Sequence, residues 1–442
     1  MARHVFHRRQ LSSESKDNRL RAKVEPHRAR GVVTASEATG PLRGVKVVEL
    51  GVWIAGPAVG GILSDWGADV VKVEPPGGYP ARGFTTMLGG DLDSNPVFEL
   101  DNRSKRSIVV DLSSTDGRQV ARTLIDGADV FVTNIRLGAL ERVGLGPVLL
   151  RERNPGLVYA IISGYGLRGP EADRPAYDIA AFWARSGLAA SLAAPGADLP
   201  FQRGGMGDHS VGMTGAAMIC AALFARQRTG VGDLVSASLL RQGVYTIGFD
   251  VNVALMWGTP IRLGSRTTMR MPTVNNYTAG DGRRFWIVGL EGERHWPPLA
   301  RAVGHPEWLT DDRFETPGAR FMNGAELVRL LDEVFLTRPL SEWAQIFDAD
   351  PDFFWSPVQT VEDLLSDEQF LAAGGLVEVP DEQGTQLMVA TPADFEAQPA
   401  QPRFRAPRLG EHTREVLEDA GYDDAEIARL ESAGAVRTGA AQ

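Results

Sequence analysis

The stretch RPAYDIAAFWARSG (174–187) sets one carboxylate, Asp178, at the mouth of an apolar run. Two readings fit this local pattern. Asp178 can cap the helix implied by the run from residue 179, a role that contributes about 1 kcal/mol. Alternatively, its carboxylate can act as a covalent nucleophile toward an activated acyl group. A helix N-terminus would keep it anionic, and Tyr177, Phe182 and Trp183 would limit access of water to a reactive intermediate.

A second group of chemically competent residues is cationic. The loop NRSKRS (102–107) brings Arg103, Lys105 and Arg106 together just before a β-branched run. In a parallel sheet such loops line the ligand crevice, where three cations suit a phosphate-rich ligand. The competing reading is a solvated surface loop.

Other chemistries find less support. The seven histidines are scattered, with neither H-E-x-x-H nor C-x-x-C, so no metal site is expected. His209 follows Asp208 at a helix start, where capping and packing roles suffice. Ser163 lies at a strand end outside any G-x-S-x-G elbow, and spacing assembles no triad. The segment ELGVWIAGPAVGGIL (49–63) contains neither G-x-G-x-x-G nor G-x-x-x-x-G-K-[ST]. Its turn can still offer backbone N–H groups to an anion. Cys220 sits in the apolar run MTGAAMICAALFA and reads as a small core residue.

The elements that must position these residues alternate regularly after residue 41. VKVVEL (45–50), DVVKVEPP (69–76), SIVVDL (107–112), DVFVTN (129–134) and LVYAIISGYG (157–166) read as strands. Helical patterns separate them, including AVGGILSDWG and STDGRQVARTLIDGA, the latter capped by Ser113 or Ser114. Such alternation implies right-handed β-α-β units and a mostly parallel sheet. Beyond residue 260 the pattern changes. NNYTAGDGRRFWIVGL reads as a hairpin turning at Gly280-Asp281-Gly282. The helical patterns ERHWPPLARAVG and AELVRLLDEVFLTRPLSEWAQIFD follow. From about 361 the chain reads as helical, then irregular and Pro-rich, then helical again.

With 442 residues and 43% of them hydrophobic, the chain is long enough for two domains. A first large-domain segment is expected at 41–245, a smaller α+β domain at 260–355, and a return to the large domain at 361–442. A net charge of −10 gives no general case for nucleic-acid binding. The single cysteine excludes an intrachain disulfide framework and fits a reducing cytoplasm. VGMTGAAMICAALFA (211–225) falls short of the about 20 apolar residues of a membrane span. Residues 1–40 are polar and basic, without an apolar signal core, and read as a disordered extension.

Taken in order, five segments resemble the family III CoA-transferases. This group includes formyl-CoA, carnitine and bile-acid CoA-transferases and the related α-methylacyl-CoA racemases. The segments are GVKVVELGVWIAGPAVGGILSDWGADVVKVEPPGG (44–78), NRSKRSIVVDL (102–112) and DVFVTNIRLGALERVGLG (129–146). NPGLVYAIISGYGLRGPEADRPAYD (154–178) and GDHSVGMTGAAMICAALFARQRTGVGDLVSASLL (207–240) complete the set. The resemblance runs from about residue 42 to about 435.

It implies an α/β fold: a Rossmann-like large domain with a parallel sheet, built from both ends of the chain, and an inserted smaller α+β domain. It also implies an interlocked homodimer. The family's nucleophilic aspartate falls on Asp178, which would form an aspartyl-CoA thioester between an acyl-CoA donor and a carboxylic acid acceptor. CoA and acyl-CoA are then substrates, with no tightly bound cofactor. The CoA contacts carried over by position are Val52, Ala55, Asn102, Lys105, Arg106, Asn134, Ile135, Gly138 and Arg142.

Two departures stand out. The glycine-rich loop that shields the site in one branch is replaced by RLGSRTTMRMPTVNN (262–276). The histidines of the racemase branch are replaced by Tyr177 and Val148, which argues for transfer over racemisation. The run YDIAAFWARSG is similar to the branch handling 2-hydroxy-acyl, aryl-lactate and bile-acid substrates, and Phe182 and Trp183 suit an apolar acyl group. A racemase or epimerase, and a non-catalytic CoA-binding protein, are the alternatives on the same fold.

Overall fold

The computed structural model describes residues 39–84, 95–194, 196–262, 264–268, 270–382 and 384–439. The extension expected over residues 1–40 lies almost entirely outside them. The described chain divides into two compact units: residues 39–192, 199–261 and 374–439 in the larger, 193–198 and 262–373 in the smaller.

The larger unit is built on strands β1 (Lys46–Leu50), β2 (Asp69–Glu74), β3 (Arg106–Val110), β4 (Val130–Thr133), β5 (Val158–Ser163) and β6 (Leu234–Ser238). Its helices, in chain order, are α1 (Ala55–Asp65), α2 (Pro96–Asn102), α3 (Thr115–Asp126), α4 (Leu137–Arg142) and α5 (Pro147–Arg153). They continue with α6 (Met206–Thr229), α7 (Leu239–Thr246) and α8 (Gly248–Trp257).

Strand order is β12-β3-β2-β1-β4-β5-β6, where β12 (Val436–Arg437) is a short antiparallel addition beside β3. The other six strands are parallel. Their order, 3-2-1-4-5-6, is that of a doubly wound nucleotide-binding sheet. Alternate residues face opposite sides of each strand. Val47, Val130 and Ala160 therefore meet Val59 of α1 and Val211 of α6 on one face. Val48, Phe131 and Tyr159 meet Val120 of α3 and Leu150 of α5 on the other. With both faces covered, the strands are nearly continuous apolar runs.

Three elements depart from the sequence reading. The apolar run after Asp178 is not a regular α-helix but one π-helical turn, Ile179–Ala184. Strands β10 (Leu376–Asp381) and β11 (Gly384–Val389) pair antiparallel where helix and coil were expected. The Met206–Thr229 helix is long and apolar enough to cross a membrane by composition, yet Val211, Ala216 and Ile219 pack into the core.

The smaller unit holds an antiparallel sheet of β7 (Val274–Thr278), β8 (Arg284–Val288) and β9 (Trp355–Pro357). The β7–β8 hairpin turns at the expected glycines. Helices α9 (Gly292–Ala302), α10 (Gly324–Phe335) and α11 (Leu340–Asp348) cover it around Tyr277, Phe285, Phe335 and Phe347. The unit closes at Ala373, so residues 361–373 belong to it and not to the larger unit. The chain ends with α12 (Thr413–Asp419) and α13 (Asp424–Ser432) in the larger unit.

Candidate active site

Asp178 caps a helix, but not its own. Its side chain makes no capping bond to the π-helical turn that it precedes. The carboxylate instead meets the N-terminus of α6: Oδ2 accepts from the Gly207 N–H at 3.0 Å and the Asp208 N–H at 3.4 Å. Oδ1 accepts from Gln202 Nε2 at 2.6 Å. The orphan N–H groups and positive end of a 24-residue helix thus face a half-buried carboxylate. The sequence GGMGDH makes this approach possible. A β-carbon at Gly207 would overlap both the Asp178 carboxylate and the Phe182 ring. Gly205, at φ 73°, turns the chain into the helix in the left-handed region.

More titratable groups gather at the same helix end. Burial, and then the Asp178 carboxylate, push Asp208 up to about 7, with His209 acting in the opposite direction. His209 Nε2 lies 3.0 Å from Oδ1 of Asp101, a residue of α2 that is 3% exposed. That hydrogen bond raises the imidazole above its ordinary value against the effect of burial. Sequence reading gave His209 only capping and packing roles. Its partner lies 108 positions away, and no local signal announces the pair.

The expected aromatic shield is placed differently. Phe182 and Trp183 are core residues, 1% and 7% exposed, and Trp183 donates to the Pro200 carbonyl at 3.1 Å. The apolar groups left open beside Asp178 are Tyr177 and Ile179. Trp53 meets the Tyr177 ring edge-on at 5.9 Å. Trp53 itself sits at φ 57°, a strained conformation for a bulky residue, in the turn after β1.

Several residues carried over by position meet where strand order reverses, between β1 and β4. The Val52 N–H donates to Asn134 Oδ1 and Asn134 Nδ2 donates back to the Val52 carbonyl, each at 2.8 Å. The Ile135 N–H donates to Thr133 Oγ1 at 3.1 Å. Ala55 begins α1, while Gly138 and Arg142 belong to α4. A cavity of about 280 Å³ opens beside them, past the ends of β4 and β5, lined by Asn134, Ile135, Gly138, Ser163 and Ala176 among others. It occupies the crevice at the carboxyl ends of the strands, the usual ligand position in such sheets.

The basic loop is neither a solvated loop nor a set of free cations. The Lys105 ammonium is fully buried, and its three donors reach Glu49 Oε2 (2.6 Å), the Pro57 carbonyl (2.8 Å) and Asn102 Oδ1 (3.1 Å). Lys72 binds the other Glu49 oxygen at 2.7 Å. Arg103 grips Asp65 through two nitrogens, and Arg106 is shared by Asp69, Glu415 and Asp419. With every donor on an acceptor, Lys105 has none to give a phosphate. It braces the start of α1 instead, through the Pro57 carbonyl. One carboxylate also serves two ammonium groups. Burial opposes the Glu49 charge, but Lys105 and Lys72 outweigh it and hold that carboxyl below its usual range. Burial lowers Lys105 to about 8 despite Glu49.

Among the described residues no cluster of His, Cys, Asp and Glu is arranged to hold a metal. Ser163 Oγ donates to the Ala237 carbonyl and accepts from the Gly166 N–H, a turn-closing role. Cys220 is partly buried, and burial raises its thiol.

The sequence pattern of CoA-transferase family III matches residues 42–413. An (R)-2-hydroxy-4-methylpentanoate CoA-transferase of Clostridioides difficile is 34% identical over 90% of this chain and 99% of its own. A cinnamoyl-CoA:phenyllactate CoA-transferase of Clostridium sporogenes is 32% identical over 89% and 96%. The crystal structure of a CaiB/BaiF family protein from Brucella suis superposes with TM-score 0.74 at 31% identity, covering 86% of this chain and all of the other. The chain belongs to CoA-transferase family III.

Proposed function

We propose that this family III CoA-transferase moves CoA between an acyl-CoA and an apolar or aryl 2-hydroxy acid, through a thioester on Asp178. The observation that carries this reading is the Asp178 carboxylate held by Gln202 and by the Gly207 and Asp208 N–H groups at the start of α6. A carboxylate oxygen attacks the donor thioester carbonyl, and the C–S bond breaks to give a mixed anhydride and CoA thiolate. The thiolate attacks the aspartyl carbonyl and expels the donor acid as its carboxylate. The acceptor carboxylate attacks the resulting aspartyl-CoA, releasing thiolate, which then takes the acyl group from the second anhydride and restores Asp178. One activated bond replaces another at each step, so no ATP is needed.

When the aspartyl carbonyl is attacked, negative charge grows on an Asp178 oxygen. The Gly207 and Asp208 N–H groups that hold the resting carboxylate would hold this oxyanion, with no reorganisation. CoA is assigned to the crevice at the β1–β4 switch point, along Val52, Ala55, Asn134, Ile135, Gly138 and Arg142. Arg106 lies at the entrance of β3, and Lys105 and Asn102 act beneath the first turn. Tyr177, Ile179 and Trp53 offer the acyl chain an apolar wall. The 2-hydroxy and aryl preference draws on the substrates named for the C. difficile and C. sporogenes enzymes.

A homodimer would cover the exposed face of α7 and α8, where Tyr245, Phe249, Leu255, Met256 and Trp257 all stand open. The single, half-buried thiol suits a reducing compartment such as the cytoplasm. The test is intact-protein mass after incubation with acyl-CoAs, including cinnamoyl-CoA, for the wild type and Asp178→Ala. A CoA-sized gain in the wild type alone supports the aspartyl thioester. Exchange of α-hydrogen in deuterated water without any adduct would favour the racemase reading, for which Asp208 near 7 supplies a proton-carrying group.

A further inference from the structure

The reaction brings a carboxylate acceptor, an anion, into a site already lined by acidic side chains. Asp178 is a neutral thioester at that moment, but Asp208 and Asp101 remain. A cation is needed to offset them, and Lys105, Arg103 and Lys72 are bound to carboxylates inside the core. His209 is differently placed. Its imidazole is 41% exposed, anchored through Nε2 to Asp101. Among the described residues Nδ1 has no hydrogen-bond partner, and it lies over Gly205, whose missing side chain leaves that edge open. Asp101 is buried, and among the described residues its second oxygen finds no donor, so the imidazole is its one side-chain hydrogen-bond partner.

We infer that His209, charged and oriented by Asp101, is the docking group for the acceptor carboxylate, which receives a hydrogen bond from Nδ1–H. The inference rests on the Asp178 thioester reading for the order of events. An anchored imidazolium donating to a carboxylate is a charge-assisted bond, stronger than its neutral counterpart. The acidic groups around the ring are Asp101 from α2, Asp208 from its own helix and Asp178, which precedes the π-helical turn. Ile54 and Gly205 lie beside the ring and carry no charge.

The test separates acceptor from donor. Steady-state KM for phenyllactate and for cinnamoyl-CoA would be measured from pH 5.5 to 8.5 on the wild type, His209→Gln and Asp101→Asn. The expected result for His209→Gln is an acceptor KM raised by about ten- to a hundredfold at pH 6, with donor KM and the CoA mass adduct retained. In the wild type the acceptor KM should rise as the pH climbs past the imidazole pKa. In Asp101→Asn that rise should move to lower pH, because the anchoring charge is gone. A break remaining in His209→Gln belongs to Asp208. Equal losses for donor and acceptor would overturn the inference, as would an unchanged acceptor KM or a wild-type pH profile surviving in His209→Gln. Absence of the adduct in the wild type would overturn the Asp178 reading instead, while the acceptor KM would still decide the role of His209.

Discussion

Two charge clusters lie in the larger unit and differ in nearly every respect. Glu49, Lys72 and Lys105 are at most 1% exposed. The Lys105 ammonium has an acceptor for each of its three donors, and both Glu49 oxygens hold a lysine. Asp178, Asp208, His209 and Asp101 gather at a helix end where, among the described residues, one buried Asp101 oxygen and one His209 ring nitrogen have no hydrogen-bond partner. The first cluster is closed and fixes a turn. The second is incomplete, which is what a site that must accept new bonds requires. Buried charge alone therefore does not mark the proposed site; the Glu49 cluster is as charged, and its bonds are already made.

The largest expected effect breaks the closed cluster. Glu49→Gln would leave two buried ammonium groups facing a neutral amide. Removing one partner of a buried ion pair costs about 3–5 kcal/mol. Denaturant unfolding should show a loss of that order, and Asp178→Ala, by contrast, should leave the midpoint little changed. Equal stability losses in the two variants would erase the distinction between the clusters.

The second effect strikes the open cluster without touching a charge. Gly207→Ala puts a β-carbon where the Asp178 carboxylate and the Phe182 ring already lie. The carboxylate must move, and a displacement of about 1 Å can cost about a hundredfold in rate. The expected outcome is a kcat lower by that order, read alongside an unfolding midpoint that reports any strain against Phe182. A variant with full kcat would mean that Asp178 need not sit on the helix end.

Much of the frame was legible from the chain because it is written locally. The runs at 45–50, 69–76, 107–112, 129–134 and 157–166 are rich in β-branched and apolar residues, as strands covered on both faces must be, and each contains a strand. β6 carries two serines in five residues and β12 has only two residues, so neither rises above its surroundings. The β10–β11 hairpin, LVEVPD with GTQLMV, keeps no strict polar–apolar alternation and is mostly exposed or half-buried, so no strand period announces it. At the site the legible part was the lone acid after Tyr177. What holds it was not legible: Gln202 and Gly207 are 24 and 29 positions away. The burial of Lys105 likewise depends on Glu49, 56 positions earlier, so a run of cations that looks exposed in sequence is closed in the fold.

The smallest effect concerns how the two clusters answer to pH. Glu49 is held below its usual pKa, so the stability it contributes is complete above the unfolded value near 4.5 and is lost only on further acidification. Asp208 runs the other way. Its folded value near 7 exceeds the unfolded 3.8, so the folded chain binds more protons between those limits and loses stability as pH rises through them. His209, raised above 6.5 by Asp101, adds in the same direction: its contribution is present in acid and fades as pH passes its folded pKa. Asp208→Asn removes the ionisation while keeping the shape. The variant should match the wild type near pH 4 and exceed it by about 1–2 kcal/mol at pH 8, a figure reduced for solvent screening of a partly exposed group. Unfolding measured at both pH values checks the sign. A variant that gains equally at pH 4 and pH 8 would place the Asp208 penalty outside its ionisation. The open cluster would then owe its cost to shape rather than charge.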